Sequence, residues 1–293
     1  MGGEFVFDCH HHYGTLLFAA GARAREIEAT QHDTAEYETR LGRMRRAGID
    51  AAVIMPVNRY MRPHGVSDTR SVNDAVAAYR DRDQSNFPVA VGITEPLHGD
   101  DGLEEIVRID EELGMVGVSY HARWQGVTAD DPLVIEGLKL LQQRRLLAFV
   151  HAHADSTLEA PFMVRHLAEL FPDLPIIVTD ALSGPTQAAQ FLSDARTLAN
   201  VYFETSCAWS LRAIAASVDA LGPERILFGS DTYSAYMVTM NTPDLIRSLG
   251  LGKDATRLIL SGNLLRLLDW THRHPNLTQF SATGSAQPIG GFQ

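Results

Sequence analysis

The sequence predicts an α/β protein, a (β/α)8 TIM barrel followed by C-terminal helices and an extended tail. Three observations carry this prediction. Eight short apolar runs recur along 293 residues, stretches of helical spacing separate them, and no Gly-rich dinucleotide fingerprint follows any run. Continuous apolar strands set between helices are parallel strands covered on both faces. Eight such units at this length favour a closed barrel over an open doubly wound sheet.

The first strand is apolar, Phe5-Val6-Phe7, and runs into Asp8-Cys9-His10-His11-His12. Residues 13 to 33 read as a long loop of weak helical character, a length that usually signals function. Helical spacing over 34–47 stops at Gly48, as a helix C-terminus does, and 51–57 is the second strand. A loop over 58–66 carries Arg59, Arg62 and His64. Helices at 67–84, 101–113, 133–144, 158–171, 185–198 and 209–221 then alternate with strands at 88–93, 116–120, 146–151, 175–180, 201–204 and 225–231. Two more helices follow, the second containing Gly262-Asn263-Leu264-Leu265-Arg266-Leu267-Leu268. The expected organisation is one barrel over residues 1–270 and a polar arm over 271–293, ordered by packing on its own barrel or on a neighbouring subunit.

Composition narrows the function. Hydrophobic residues at 45% and charged residues at 21% describe a globular chain. A net charge of -11 disfavours nucleic acid, whose phosphates call for clustered Lys and Arg, and leaves a small-molecule substrate open. No segment is long and apolar enough to span a bilayer, and the start lacks a basic leader followed by an apolar run. Cys9 and Cys207 lie far apart in a chain that needs no disulfide. The expectation is a cytoplasmic protein with a small-molecule substrate and neither nucleic acid nor membrane as partner; a homodimer is compatible with the long arm.

Side chains alternate along a strand, so Asp8, His10 and His12 should share one face and Cys9 and His11 the other. Two imidazoles then converge as a metal requires. A tag remnant would also give consecutive histidines, but this run is short and continues an apolar strand. In a barrel the reactive residues sit at the carboxyl ends of the strands. His10 and His12 end strand one, His121 follows strand four, His151 and His153 end strand five, Asp180 ends strand six and Asp231 ends strand eight. Capping aspartates explain Asp180 or Asp231 singly and the whole set poorly. His10, His12, His151 and Asp231 form a ligand set suited to one divalent metal ion, Zn2+ with Mn2+ as the alternative. Asp8 either supports this cluster or pairs locally.

Here the sequence resembles a known family. The Asp8-Cys9-His10-His11-His12 start, Phe149-Val150-His151-Ala152, Leu227-Phe228-Gly229-Ser230-Asp231 and Ile259-Leu260-Ser261-Gly262-Asn263 are similar, in order and spacing, to the amidohydrolase-related (amidohydrolase 2) branch of the metal-dependent hydrolases. Residues 43–50 and 171–174 add to the resemblance, which covers about residues 5–270. It implies a distorted (β/α)8 barrel with one divalent metal, in a family of lactone and amide hydrolases, hydratases and nonoxidative decarboxylases such as aminocarboxymuconate-semialdehyde decarboxylase. One position departs. Where members commonly carry a histidine after strand six, this chain reads Thr179-Asp180-Ala181-Leu182-Ser183-Gly184. Either Asp180 takes over that task, His153 or His121 substitutes, or the usual chemistry is lost; Asp180 could also bind the metal.

The expected function is hydrolysis of a small carboxylated, cyclic substrate, a lactone or amide, by metal-activated water, with Asp231 as base and Asp180 or His153 assisting. The alternative is nonoxidative decarboxylation of an aromatic or unsaturated carboxylic acid. A further alternative is a metal-free binding or scaffold barrel, supported by the departure at Asp180. Candidate substrate contacts are Arg59, His121, Arg123, Trp124, Trp209 and Tyr233, each weighed against a solvated charge or a packing residue. Cys9 and Cys207 read as small buried thiols.

Overall fold

A computed structural model describes residues 4–13, 34–58, 62–233 and 242–273. Its eight strands are all parallel and run in sequence order: β1 (Phe7–Tyr13), β2 (Ala51–Pro56), β3 (Val89–Ile93), β4 (Gly117–Tyr120), β5 (Leu147–His151), β6 (Ile176–Thr179), β7 (Val201–Glu204) and β8 (Ile226–Leu227). The seam closes through backbone bonds, with Cys9 N–H to the Phe228 carbonyl at 2.9 Å, Asp231 N–H to the His10 carbonyl at 2.9 Å and His12 N–H to the Thr232 carbonyl at 2.8 Å. This is a (β/α)8 TIM barrel, as the sequence predicts.

The helices between strands are α1 (Thr34–Ala47), α2 (Val66–Arg82), α3 (Asp100–Glu111), α4 (Ala122–Gln125), α5 (Pro132–Arg144), α6 (Pro161–Leu170), α7 (Pro185–Ala195) and α8 (Leu211–Leu221). Proline opens α5, α6 and α7, where its missing N–H costs nothing and its fixed φ is already helical. Asp131 caps α5 by accepting the Leu133 N–H at 2.9 Å, and Ser210 caps α8 by accepting the Ala213 N–H at 3.3 Å. After β8 come α9 (Pro243–Ser248), α10 (Lys253–Arg257), a π-helical turn at Leu258–Gly262 and α11 (Asn263–Trp270), so the last part is more broken than the two helices expected.

Alternate strand residues split the core in two. Phe7, Cys9, Val53, Val91, Phe149 and Ile177 fill the barrel, and Leu264, Leu267 and Leu268 of α11, at helical spacing, pack against them. Ile54, Val118, Val150 and Val178 point outward and meet Val76, Ile109, Leu138 and Leu167 of the surrounding helices. Asn73 of α2 is wholly buried and clamps the edge of β3. It donates to the Ile93 carbonyl at 2.8 Å and to Glu105 at 2.7 Å, and accepts the Ile93 N–H at 2.8 Å. Asn73→Ala removes the side-chain partner of the buried Ile93 N–H and carbonyl, while Glu105 keeps its bonds to Arg108, and the denaturant midpoint should fall by the equivalent of about 2–4 kcal/mol. A change below about 0.5 kcal/mol, the range of ordinary surface substitutions, would show that the clamp contributes nothing.

Strand β1 departs from simple alternation. Asp8 is opposite Ala52 but His11 is opposite Ile54, so β1 carries one extra residue, a bulge, between them. The extra residue cancels the parity that groups Asp8 with His10 and His12. Asp8 instead accepts from His11 Nδ1 at 3.1 Å, from the His10 N–H at 3.1 Å and from the Ser230 N–H at 2.9 Å. It is a clasp across the β1–β8 seam. Cys9 stays inside the barrel, beneath the histidines rather than on their opposite face. The buried Arg40 of α1 donates to the His12 carbonyl at 2.7 Å and ties the end of β1 to its helix. Among the described residues no helix is long and apolar enough to cross a membrane.

Candidate active site and metal centre

The strand ends surround a cavity of about 230 Å³ lined by His10, His12, Asn58, Ser119, His121, Arg123, Trp124, His151, His153, Asp155, Thr179, Asp180, Cys207, Asp231 and Tyr233. Three non-glycine residues that directly follow strands or their first turn, Asp180 (φ 60°), Cys207 (φ 50°) and Asp231 (φ 48°), adopt the left-handed backbone conformation. That conformation costs energy for residues with a Cβ, and all three line this one cavity.

His10 Nε2 and His12 Nε2 lie 2.9 Å apart, and Asp231 Oδ1 is 3.6 Å from the first and 3.2 Å from the second. Second contacts fix the rings. His12 Nδ1 donates to the Pro56 carbonyl at 2.9 Å, so its Nε2 presents a lone pair. His10 Nδ1 faces Ser206 Oγ at 3.1 Å and the Glu204 carboxylate at 3.4 Å, which directs the His10 lone pair the same way. Asp231 Oδ1 is buried and accepts no hydrogen bond. Two imidazole nitrogens and a carboxylate oxygen thus converge on one point, 2.9–3.6 Å from one another. A cation belongs there, and two nitrogens with one oxygen suit a divalent metal. Burial opposes charge on His10, but the carboxylates of Asp231, Glu204 and Asp180 outweigh it and push its pKa up to about 10, so in the metal-free site a proton takes the place a cation would fill.

His151 lines the same cavity but is not part of this three-residue cluster. Its Nε2 is 3.0 Å from Asp180 Oδ2 and its Nδ1 is 2.9 Å from Glu159 Oε2. Burial acts against its protonation, yet the bonds to Asp180 and Glu159 raise it to about 9. Asp180 is held in turn by Ser206 Oγ–H at 2.6 Å, and its backbone N–H donates to Glu204 at 2.8 Å. Burial would raise the Asp180 pKa, but His151 above all keeps it well below the carboxylate range. His121 stacks on His151 with centroids 3.4 Å apart, and burial together with its charged neighbour lowers it to about 3. The two stacked rings are therefore pushed in opposite directions by their neighbours.

Of the other expected residues, Tyr233 stacks on His12 with centroids 4.4 Å apart, and Trp124 stands half-exposed at the rim. His153 is near the mouth, 2.6 Å from Asp155, which also pairs with Arg123. Trp209 is not on the cavity wall. The turn at Ser206 and Cys207 carries the chain past the mouth before reaching it, and its side chain is 49% exposed. Arg59 lies outside the described residues, as do the loop at 14–33 and the tail from 274. Burial and neighbouring carboxylates push the Cys207 thiol far up, so it is a neutral thiol donating to Asp231 at 3.6 Å.

Two buried carboxylates escaped the sequence reading. Glu204 ends β7, and its position at a strand end was signal enough to include it. Glu159 sits in the connection before α6, where residues 158–171 read as helix and nothing marks it.

A closed parallel barrel with converging histidines and carboxylates at its strand ends is an enzyme, not the scaffold considered from sequence. The chain belongs to the amidohydrolase family, whose profile matches residues 7–270. Among curated proteins, none is significantly similar to it in sequence. Solved structures share the fold at low identity. A dihydroxybenzoic acid decarboxylase from Polaromonas sp. JS666 with bound manganese and 2-nitroresorcinol is 15% identical over 93% of this chain and 98% of that one, with TM-score 0.71. A 5-carboxyvanillate decarboxylase from Novosphingobium aromaticivorans with manganese is 15% identical over 92% and 97%, with TM-score 0.69. A 4-oxalomesaconate hydratase from Rhodopseudomonas palustris is 16% identical over 92% and 97%, with TM-score 0.69.

Proposed function

We propose that the protein is a nonoxidative, divalent-metal-dependent decarboxylase of a small single-ring aromatic acid. The observation that carries this reading is the way charge is placed in the cavity. Among the described residues lining it, the one guanidinium, Arg123, is paired with Asp155 at the mouth, so the anchor for a substrate carboxylate would be a cation held by the three converging acceptors. The volume suits one ring, well below the ~300 Å³ at which pockets for drug-sized ligands begin. The decarboxylases among the structural neighbours support the same reading, in preference to a lactone or amide hydrolase.

His10, His12 and Asp231 hold the ion, with His151 facing the same cavity as the fourth candidate ligand. Zinc and manganese both suit this donor set, and the manganese in the neighbours supports the second. A bound metal would supply the positive charge that anchors the substrate carboxylate. Tyr233 and Trp124 provide flat walls for the ring. His121 offers a neutral Nε2 to a ring hydroxyl proton. Asp231, having taken the proton of the entering acid's carboxyl group, delivers that proton to the ring carbon; the bond to the carboxyl carbon breaks, its electron pair restores the ring, carbon dioxide leaves and Asp231 is again a carboxylate. Asp180, bonded to His151, takes the place of the histidine that relatives carry after β6.

The test is to strip the protein with chelator, reload it with zinc or manganese and supply hydroxylated benzoic acids and lactones in parallel. Carbon dioxide should be released from a ring acid by loaded protein only. Lactone opening with no carbon dioxide from any acid would replace this reading with hydrolysis.

A further inference from the structure

The wholly buried Glu159 lies outside the His10, His12 and Asp231 cluster, yet it touches two rings of the cavity. Its Oε2 is 2.9 Å from His151 Nδ1, and its Oε1 is 3.1 Å from His121 Nδ1 and 3.2 Å from the Arg123 N–H. No other polar contact of its carboxylate is present among the described residues. A carboxylate can only accept, so each ring must place a proton on Nδ1.

We propose that Glu159 is the positioning residue of this site, fixing the tautomer and orientation of His121 and His151 together so that both Nε2 atoms face the cavity. The stacked rings, 17° from parallel, are two parallel arms on one carboxylate. With Nδ1 engaged, His151 directs Nε2 at Asp180 and His121 has only Nε2 left for substrate. Without Glu159 the His121 ring could carry its proton on Nε2 and close that atom to a substrate hydroxyl proton, and His151 would lose the contact that aims its Nε2 at Asp180. The same logic governs metal-site histidines, whose outer carboxylates set the free nitrogen. This inference rests on the reading of the cavity as a substrate site, not on which acid occupies it.

Glu159→Gln separates positioning from filling. Glutamine has the same shape but one acceptor and one donor, so it satisfies one Nδ1–H and opposes the other. Nitrogen-15 NMR of histidine-labelled, metal-free protein reads the tautomers directly. In the wild type both His121 and His151 should carry a proton on Nδ1, with His151 protonated on Nε2 toward Asp180 as well, and in Glu159→Gln one ring, not both, should lose its Nδ1 proton. On an acid identified by carbon dioxide release, kcat should fall about 10–100-fold with KM nearly unchanged. Unaltered tautomers in Glu159→Gln would overturn the proposal. If that variant does not fold, a wild type in which either ring lacks a proton on Nδ1 overturns it equally. Should no acid lose carbon dioxide, the decarboxylase reading fails while the tautomer result still decides the role of Glu159.

Discussion

Asp231→Asn should lose both its metal and its activity. The carboxylate completes the three-acceptor cluster, and its replacement by an amide puts an NH2 group or a weaker neutral oxygen 3.2 Å from His12 Nε2. If the amide nitrogen turns inward it donates to the histidine lone pair and fills the place of the cation; if the oxygen turns inward the site has lost its one negative ligand. Elemental analysis after dialysis should show metal well below one equivalent. Turnover should fall by about 10²–10⁴, the usual contribution of a proton-transferring side chain. The volume is unchanged, so the melting temperature of the metal-free protein should stay near that of the metal-free wild type. Full activity with metal retained would remove Asp231 from both of its proposed roles.

Gly229→Ala should damage fold and site together. A Cβ at this position would lie 2.1 Å from Glu204 Oε2 and 3.1 Å from the His10 Cβ, so the end of β8 approaches β1 and β7 closely only because nothing is there. Thr205 locks that approach, donating to the Gly229 carbonyl and accepting its N–H, both at 3.1 Å. The methyl group must push away Glu204, which holds the Asp180 backbone and faces His10. Overpacking of this kind costs about 1–3 kcal/mol, a drop of several degrees in Tm for a chain of this size. Metal affinity should weaken in the same variant. Gly117→Ala is the comparison: its Cβ would meet the Leu147 carbonyl at 2.5 Å, low in the barrel, so stability should fall with metal affinity unchanged. Equal metal affinity in Gly229→Ala and the wild type would mean that Glu204 does not support the histidines.

The strands and most of the cavity wall were legible because they rest on local rules. Apolar runs at regular spacing mark parallel strands, and a barrel puts the residues that follow them in one place, which located His10, His12, His121, His151, Asp180 and Asp231 around one cavity. What was missed depends on contacts between distant parts of the chain. The bulge that turns Asp8 away is visible only in the pairing of β1 with β2. Glu159 is defined by two rings that reach it from β4 and β5, and no spacing rule anticipates that meeting. Trp209 followed the strand-end rule and failed it, because a left-handed residue two positions earlier redirects the chain. The last strand was expected to be seven residues long, 225–231, and pairs as a regular strand only over Ile226–Leu227; its remainder is held by individual bonds to β1.

The left-handed turns at Asp180, Cys207 and Asp231 have a consequence for how such a site can change. Each aims its side chain through the backbone, so the direction is set before the chemical group is chosen. Aspartate, asparagine and histidine are the non-glycine residues that enter this conformation most readily. Position 180 can therefore exchange an acid for an imidazole while the barrel around it stays as it is. The three turns act as sockets of fixed direction, and what is plugged into them decides the reaction.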